Sequence, residues 1–219
     1  MTNHQLQIQH FVFGPFQTNT YVVSINDEMV NEQMVLVIDP ACSNQYERQQ
    51  LYNYISNLKS QISNIKLSIV ATHGHLDHLW GAKWATEQYH TPVLMHEADI
   101  PMAQAMQAQY DLFGIRATPQ PFEIKNIKSE ILNLKSQMSN FELLETPGHT
   151  PGSVCLYFPK DKVLLSGDTL FRMGYGRTDL PDGDFGQLIN SLERLFELPS
   201  DVRVFPGHGD PTTIGAERR

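Results

Sequence analysis

Thr72-His73-Gly74-His75-Leu76-Asp77-His78 sets three imidazoles and a carboxylate within six positions. It follows directly on Ile65-Lys66-Leu67-Ser68-Ile69-Val70-Ala71, a largely apolar run that reads as a strand. Crowding imidazoles beside a carboxylate costs repulsion and desolvation unless a cation offsets both. In an extended or turning segment His73 and His75 point the same way, as residues i and i+2 do. Asp77 and His78 come next and can face a second point nearby. One loop can therefore serve two ions, and neutral imidazole with carboxylate suits zinc, and also iron or manganese.

Two histidines do not close a site, so further ligands must come from elsewhere. Thr146-Pro147-Gly148-His149-Thr150-Pro151-Gly152, Gly167-Asp168-Thr169 and Phe205-Pro206-Gly207-His208-Gly209 each follow an expected strand. Each alone is a weak signal, and Asp168 by itself reads as a turn residue. Four strand ends presenting His or Asp beside Gly make a joint signal, because ligands of α/β sheets collect where strands end. His4, His10, His90 and His96 have no ligand-type partner at matching spacing and read as structural or surface residues.

Around these motifs the pattern alternates strands and helices. Leu6–Phe13, Gly14-Pro15 and Thr20–Ile25 read as a hairpin, and Met34–Ile38 as a buried strand stopped at Asp39-Pro40. Leu51, Tyr54, Ile55 and Leu58 mark one helix face, and a second helix is expected over 79–90 before a strand at Pro92–Met95. Met102, Ala105, Met106 and Gln109 allow a helix that Pro119 and Pro121 end. Strands are expected at 141–146, 152–158, 163–165 and 202–205. Leu188, Ile189, Leu192, Leu195 and Phe196 form a helix face, opened by an Asp184/Gln187 capping box. The Ser/Asn/Lys/Gln-rich pieces near 56–68 and 126–140 read as compositional drift, not as a repeat. No Gly/Pro/Ser-rich linker separates the halves, so one α/β domain over 1–219 is expected.

Composition narrows the partners. The 219 residues carry 24 acidic against 16 basic side chains, a formal charge of −8, with the basic residues scattered. A polyanion binder shows a basic patch, so nucleic acid is a poor candidate. No run approaches a membrane span, and no secretory leader is visible at the N-terminus, which points to a cytoplasmic protein. Cys42 and Cys155 stand alone in separate segments and read as packed, reduced thiols.

The set His73-x-His75-x-Asp77-His78, His149, Asp168 and His208, in that order, resembles the ligand set of the metallo-β-lactamase superfamily, and the resemblance spans nearly the whole chain. It implies a four-layer αββα sandwich with a dinuclear site where the sheets meet. It also implies that His73, His75 and His149 bind one ion, that Asp77, His78 and His208 bind a second, and that Asp168 bridges them. Gly167-Asp168-Thr169-Leu170-Phe171, Gly176-Arg177-Thr178-Asp179-Leu180-Pro181, Pro206–Gly215 and Phe16-Gln17-Thr18-Asn19-Thr20-Tyr21 are similar to the small bacterial glyoxalase II-like hydrolases.

That likeness implies hydrolysis of a small-molecule thioester, S-lactoylglutathione or a related acyl-thiol, by a hydroxide bridging two divalent ions, with zinc expected first. Asp77 and Asp168 would orient the nucleophile, and Tyr175 and Arg177 would contact substrate unless Arg177 pairs with Asp179. Typical metallo-β-lactamases carry Cys where Asp168 stands, which disfavours a penicillin-type substrate. Full-length glyoxalase II holds glutathione partly with a C-terminal helical domain, whereas this sequence runs eleven residues past His208; another thioester fits equally well. The competing expectation is a persulfide dioxygenase-like oxidoreductase with one iron on His73, His149 and Asp168. A non-enzymatic sensor on the same fold is a third, disfavoured by the intact ligand set.

Overall fold

In the computed structural model, residues 4–27, 33–61, 65–130 and 141–218 are described. Two sheets lie at the centre. The first has six strands in the order β1 (His4–Phe13), β2 (Thr18–Asp27), β3 (Gln33–Ile38), β4 (Ile65–Val70), β5 (Val93–Met95) and β6 (Ile124–Asn126). Its first three strands are antiparallel neighbours, and β3 to β6 run parallel. The second contains β7 (Glu142–Glu145), β8 (Val154–Phe158), β9 (Val163–Gly167), β12 (Arg203–Pro206) and β13 (Thr212–Thr213), in the order β13-β12-β9-β8-β7. A small ribbon, β10 (Leu170–Phe171) with β11 (Gly174–Tyr175), sits between β9 and the last helices.

The period-2 alternation of side chains sorts the apolar residues into three cores. Met34, Leu36 and Ile38 of β3 pack with Leu156, Phe158, Val163 and Leu165 between the sheets. Val35 and Val37 point the other way, against Leu51, Ile55 and Leu58 of α1 (Gln45–Gln61) and Ala82 and Ala85 of α2 (Ala82–Tyr89). Ala103 of α3 (Ile100–Gln104) and Met106 and Tyr110 of α4 (Met106–Leu112) complete that outer layer. On the far side, Cys155, Leu164 and Val204 meet Leu188, Leu192 and Leu195 of α5 (Phe185–Phe196), and Ile214 of α6 (Ile214–Glu217) joins them. Helix, sheet, sheet, helix is the layered α/β arrangement expected. A slip of one residue in β3 would exchange its two apolar sets, so burial on both faces pins the register.

The departures from expectation are local. The helix expected through 102–109 breaks at Ala105 (φ −86°, ψ 30°) into α3 and α4. The capping box is half formed: Asp184 Oδ1 accepts from the Gln187 N–H at 2.9 Å, but the Gln187 amide meets the Asp184 side chain instead of its backbone. The Asp184 N–H has another acceptor, the Gly148 carbonyl at 2.8 Å, so no donor is left for the box to satisfy. β6, β10, β11 and β13 have three residues or fewer and show no periodicity to read. Of the two polar pieces, residues 62–64 and 131–140 lie outside the described residues. Cys42 and Cys155 are buried free thiols, pushed up to about 12 and about 11 by burial.

Candidate metal centre

The fold gathers four chain segments at one edge of the sandwich. The loop 72–78 leaves β4, the His149 loop joins β7 to β8, Asp168 follows β9, and His208 follows β12. β9 and β12 are parallel neighbours, so their C-terminal ends emerge side by side. Backbone bonds close the seam between the sheets: the Val154 N–H donates to Thr72 O at 2.9 Å, and the Asn19 N–H to Gly207 O at 2.7 Å.

All seven expected ligands come together there. His75 Nδ1 lies 3.1 Å from His73 Nε2 and 2.9 Å from His149 Nε2. Beside this group, Asp77 Oδ2 is 3.1 Å from His208 Nε2, and His78 Nε2 is 3.3 Å from His208 Nε2. Asp168 stands between, with Oδ2 3.5 Å from both His149 Nε2 and His208 Nε2 and Oδ1 3.4 Å from His78 Nε2. Three groups of donor atoms therefore lie within 4.8 Å: His73/His75/His149, His73/His78/Asp168 and Asp77/His78/His208.

Hydrogen bonds behind the ligands fix which ring nitrogen faces inward. Thr72 Oγ1 donates its one hydrogen to Asp39 Oδ2 at 2.7 Å, so towards His73 Nδ1 at 3.1 Å it can only accept. That puts the His73 proton on Nδ1 and a lone pair on Nε2. His78 Nδ1 meets Asp39 Oδ2 at 2.9 Å, and His149 Nδ1 meets the Arg177 carbonyl at 2.7 Å, with the same result. Lone pairs thus converge on a space that also receives two carboxylates. Asp168 Oδ1 is buried with no hydrogen-bond partner, which costs free energy unless a cation meets it. The donor set fits divalent metal ions on chemical grounds.

The electrostatics agree. Burial drives the His73 imidazole well below the ordinary histidine range, aided by His78 and His149, and takes His75 down to about 3. Both rings are therefore neutral, the ligating form. Burial opposes ionisation of Asp77 and Asp168, yet His78 and His208 outweigh it and hold both carboxyls below their usual range. Burial also opposes charge on His78, but Asp77, Asp168 and Asp39 overcome it and raise its affinity for a proton. The carboxylates that favour a proton on His78 Nε2 favour a metal cation there too.

Close packing needs glycine at two points. A Cβ on Gly207 would lie 2.1 Å from Asp168 Oδ1 and 2.8 Å from His78 Cε1. One on Gly176 would lie 1.9 Å from Asp168 O and 3.0 Å from His149 Nδ1. The backbone itself thus presses the ligands inward.

A cleft of about 350 Å³ opens over the ligands, and Tyr175 and Arg177 both line it. Tyr175 is half exposed and available to a substrate. The Arg177 side chain instead forms a two-pronged pair with Asp179, at 2.6 and 2.7 Å; its contribution to the ligands is its carbonyl on His149.

Sequence reading missed the residues that hold the ligands. Asp99, fully buried, accepts from Gly74 N at 2.8 Å, Thr150 Oγ1 at 2.6 Å and Gly152 N at 2.6 Å, tying the His73–His75 turn to the His149 loop. Gln109 accepts from Leu76 N and donates to Gly74 O. Thr18 Oγ1 donates to Asp77 Oδ2 at 2.8 Å, and Asn19 Nδ2 donates to the Pro206 and Gly209 carbonyls flanking His208. Asp39 carried the one available signal, a carboxylate at a strand end, and reads from sequence as a proline stop. Among the remaining histidines, His10 backs Asn19 through a 2.7 Å contact, His90 closes α2 at φ 52°, and His96 accepts from Ala98 N; His4 falls within β1.

The family model of the metallo-β-lactamase superfamily matches residues 13–208, and the chain belongs to that superfamily. The Haemophilus influenzae hydroxyacylglutathione hydrolase GloC is 35% identical over 193 residues, 86% of each chain. Among solved structures, TTHA1623 in a di-iron-bound form is 32% identical with a TM-score of 0.78, covering 96% of this chain and 97% of that one. The B3 metallo-β-lactamase BLEG-1 is 30% identical with a TM-score of 0.76, covering 96% of both. The chain is thus a metallo-hydrolase-type protein with a His/Asp cluster that fits divalent metal, and no described helix is long and apolar enough to cross a membrane.

Proposed function

We propose that this chain is a two-metal hydrolase of small-molecule thioesters, resembling glyoxalase II in chemistry. The observation that carries the reading is the pair of donor groups, His73/His75/His149 and Asp77/His78/His208, on either side of Asp168. These residues would hold the ions, zinc first, with iron or manganese as alternatives. Bound there, divalent ions supply Lewis acidity and bring the pKa of water towards neutrality.

The chain supplies the rest. Asp77, steadied by Thr18, and Asp168 orient the attacking water and balance the charge of the ions. Asp39, Thr72 and the Arg177 carbonyl hold the imidazoles in the ligating tautomer. In this reading the acyl carbon enters the cleft that Asp168 and Tyr175 line. Water oxygen bonds to the acyl carbon, the C–S bond breaks, and sulfur leaves with the electron pair. The products are a carboxylate, a thiol and one proton. A thiol with a pKa of about 8.5 leaves without a strong general acid.

The H. influenzae relative is named for hydroxyacylglutathione hydrolysis, which makes S-lactoylglutathione the first substrate to try. The persulfide dioxygenase reading needs one iron on His73, His149 and Asp168, and leaves Asp77, His78 and His208 without a task. The BLEG-1 likeness makes a β-lactam the necessary comparison substrate. The test is metal content of protein purified without added metal, with turnover of S-lactoylglutathione, glutathione persulfide and nitrocefin. About two ions per chain with thioester loss as the fastest reaction is expected. His75→Ala should keep the far-ultraviolet circular dichroism of the wild type while losing metal and turnover. One iron with oxygen uptake on persulfide, or nitrocefin cleaved faster than any thioester, overturns the proposal.

A further inference from the structure

The metal cleft continues into a second hollow of about 170 Å³ whose walls are mostly apolar, with His75, Gln109 and Asp182 as the polar members. His75, Phe113 and Leu180 border both spaces, so a molecule centred on the ligands can extend from one into the other. Met102, Ala105, Ala108 and Leu112 line the helical side of this trough, on α3, α4 and the break between them. Leu112 is 58% exposed and Phe113 41% exposed, and together with Met102 and Leu180 they make the lining a contiguous apolar patch. The Phe113 ring meets Phe16 of the β1–β2 turn edge-on at 5.5 Å, forming an aromatic wall where the two spaces join.

Charge decides which part of a thioester belongs there. Asp182 borders the trough, no lysine or arginine lines it, and the one arginine lining the cleft is engaged by Asp179. An anionic end would meet a carboxylate and no free cation, whereas an alkyl chain would cover Leu112 and Phe113. A polar or charged thiol carrier is better served at the open, Tyr175 side of the cleft.

We infer that the Met102–Phe113 trough is an acyl-chain subsite, and that the preferred substrates are thioesters of straight-chain alkyl acids. This rests on the thioester reading above and specifies the acyl group within it. The break at Ala105 lies on the trough itself, between Met102 of α3 and Ala108 of α4.

The experiment is kcat/KM of the metal-loaded protein on acetyl, butyryl, hexanoyl and octanoyl thioesters of one thiol, N-acetylcysteamine. Each methylene entering the trough is expected to raise kcat/KM about 2- to 4-fold, until the trough is full. Ala108→Asp should collapse the hexanoyl-to-acetyl ratio, and Ala108→Trp should move the optimum to shorter chains. Calorimetry gives a readout without turnover: hexanoate should bind with a negative heat-capacity change, acetate should not, and Ala108→Asp should abolish the difference. A flat series with brisk turnover sinks the subsite and leaves the thioester reading standing. No turnover of any thioester sinks that reading, and hexanoate binding then decides the trough alone.

Discussion

Asp99 carries three hydrogen bonds to two different ligand loops, from Gly74, Thr150 and Gly152. Burial pushes its carboxyl up, against those donors, so the carboxylate depends on them as they depend on it. The packing leaves no slack, since a Cβ on Gly152 would lie 2.6 Å from Asp99 Oδ1. Removing the acceptor strands three buried donors, each costing about 1–3 kcal/mol. Asp99→Ala is therefore expected to destabilise by about 3 kcal/mol or more and to lower Tm by roughly 6–12 °C. Metal affinity should fall with it, because the His73–His75 turn and His149 would no longer be held together. A variant with wild-type Tm and wild-type metal content would show that the loops are positioned by other contacts.

At the level of elements, α5 and the His149 loop meet backbone to backbone. Gly148 has φ 139°, and a Cβ there would fall 2.3 Å from the Leu188 backbone. Beyond its Cβ, the Leu188 side chain belongs to the core with Cys155 and Leu164. The two residues therefore separate stability from site geometry. Leu188→Ala is expected to cost about 2–5 kcal/mol in chemical denaturation while metal stoichiometry stays near that of the wild type. Gly148→Ala should do the reverse at the site, forcing α5 and the His149 loop apart and lowering metal content. Equal metal loss in both variants would mean that α5 acts on the site through general loosening.

Across the whole molecule, the ligand cluster is a tie between the two sheets. His73, His75, Asp77 and His78 come from the first sheet, and His149, Asp168 and His208 from the second. Ions bound there would cross-link the halves of the sandwich beside the backbone bonds from Val154 to Thr72 and from Asn19 to Gly207. Ligands that bind only the folded state stabilise by mass action, about 2.7 kcal/mol at a hundredfold excess over Kd. Stripping metal with a chelator is expected to lower Tm by roughly 5–10 °C, with recovery when zinc is restored. An unchanged Tm after complete stripping, verified by elemental analysis, would show that the seam holds without ions.

What sequence by itself determined was local. The unbroken apolar run Met34–Ile38 declares a strand buried on both faces, and the stripe of Leu188, Leu192 and Leu195 declares a helix face, because each pattern is written in neighbouring residues. The seven donor residues were legible for a similar reason: His73, His75, His149, Asp168 and His208 stand beside glycine after a strand, and Asp77 and His78 follow in the first of those loops. The resemblance then ordered them into two groups, which periodicity and spacing left open. Tertiary structure decided the rest. His78 and His208, 130 positions apart, meet only because β4 and β12 end at one edge of the sandwich. Asp39, Asp99, Asn19 and Gln109 look like ordinary polar residues along the chain, because a hydrogen bond across the fold leaves no periodic trace in sequence. The break at Ala105 and the trough beside it belong to the same class: they follow from how α3 and α4 pack, a balance of contacts that residues 98–122 do not spell out on their own.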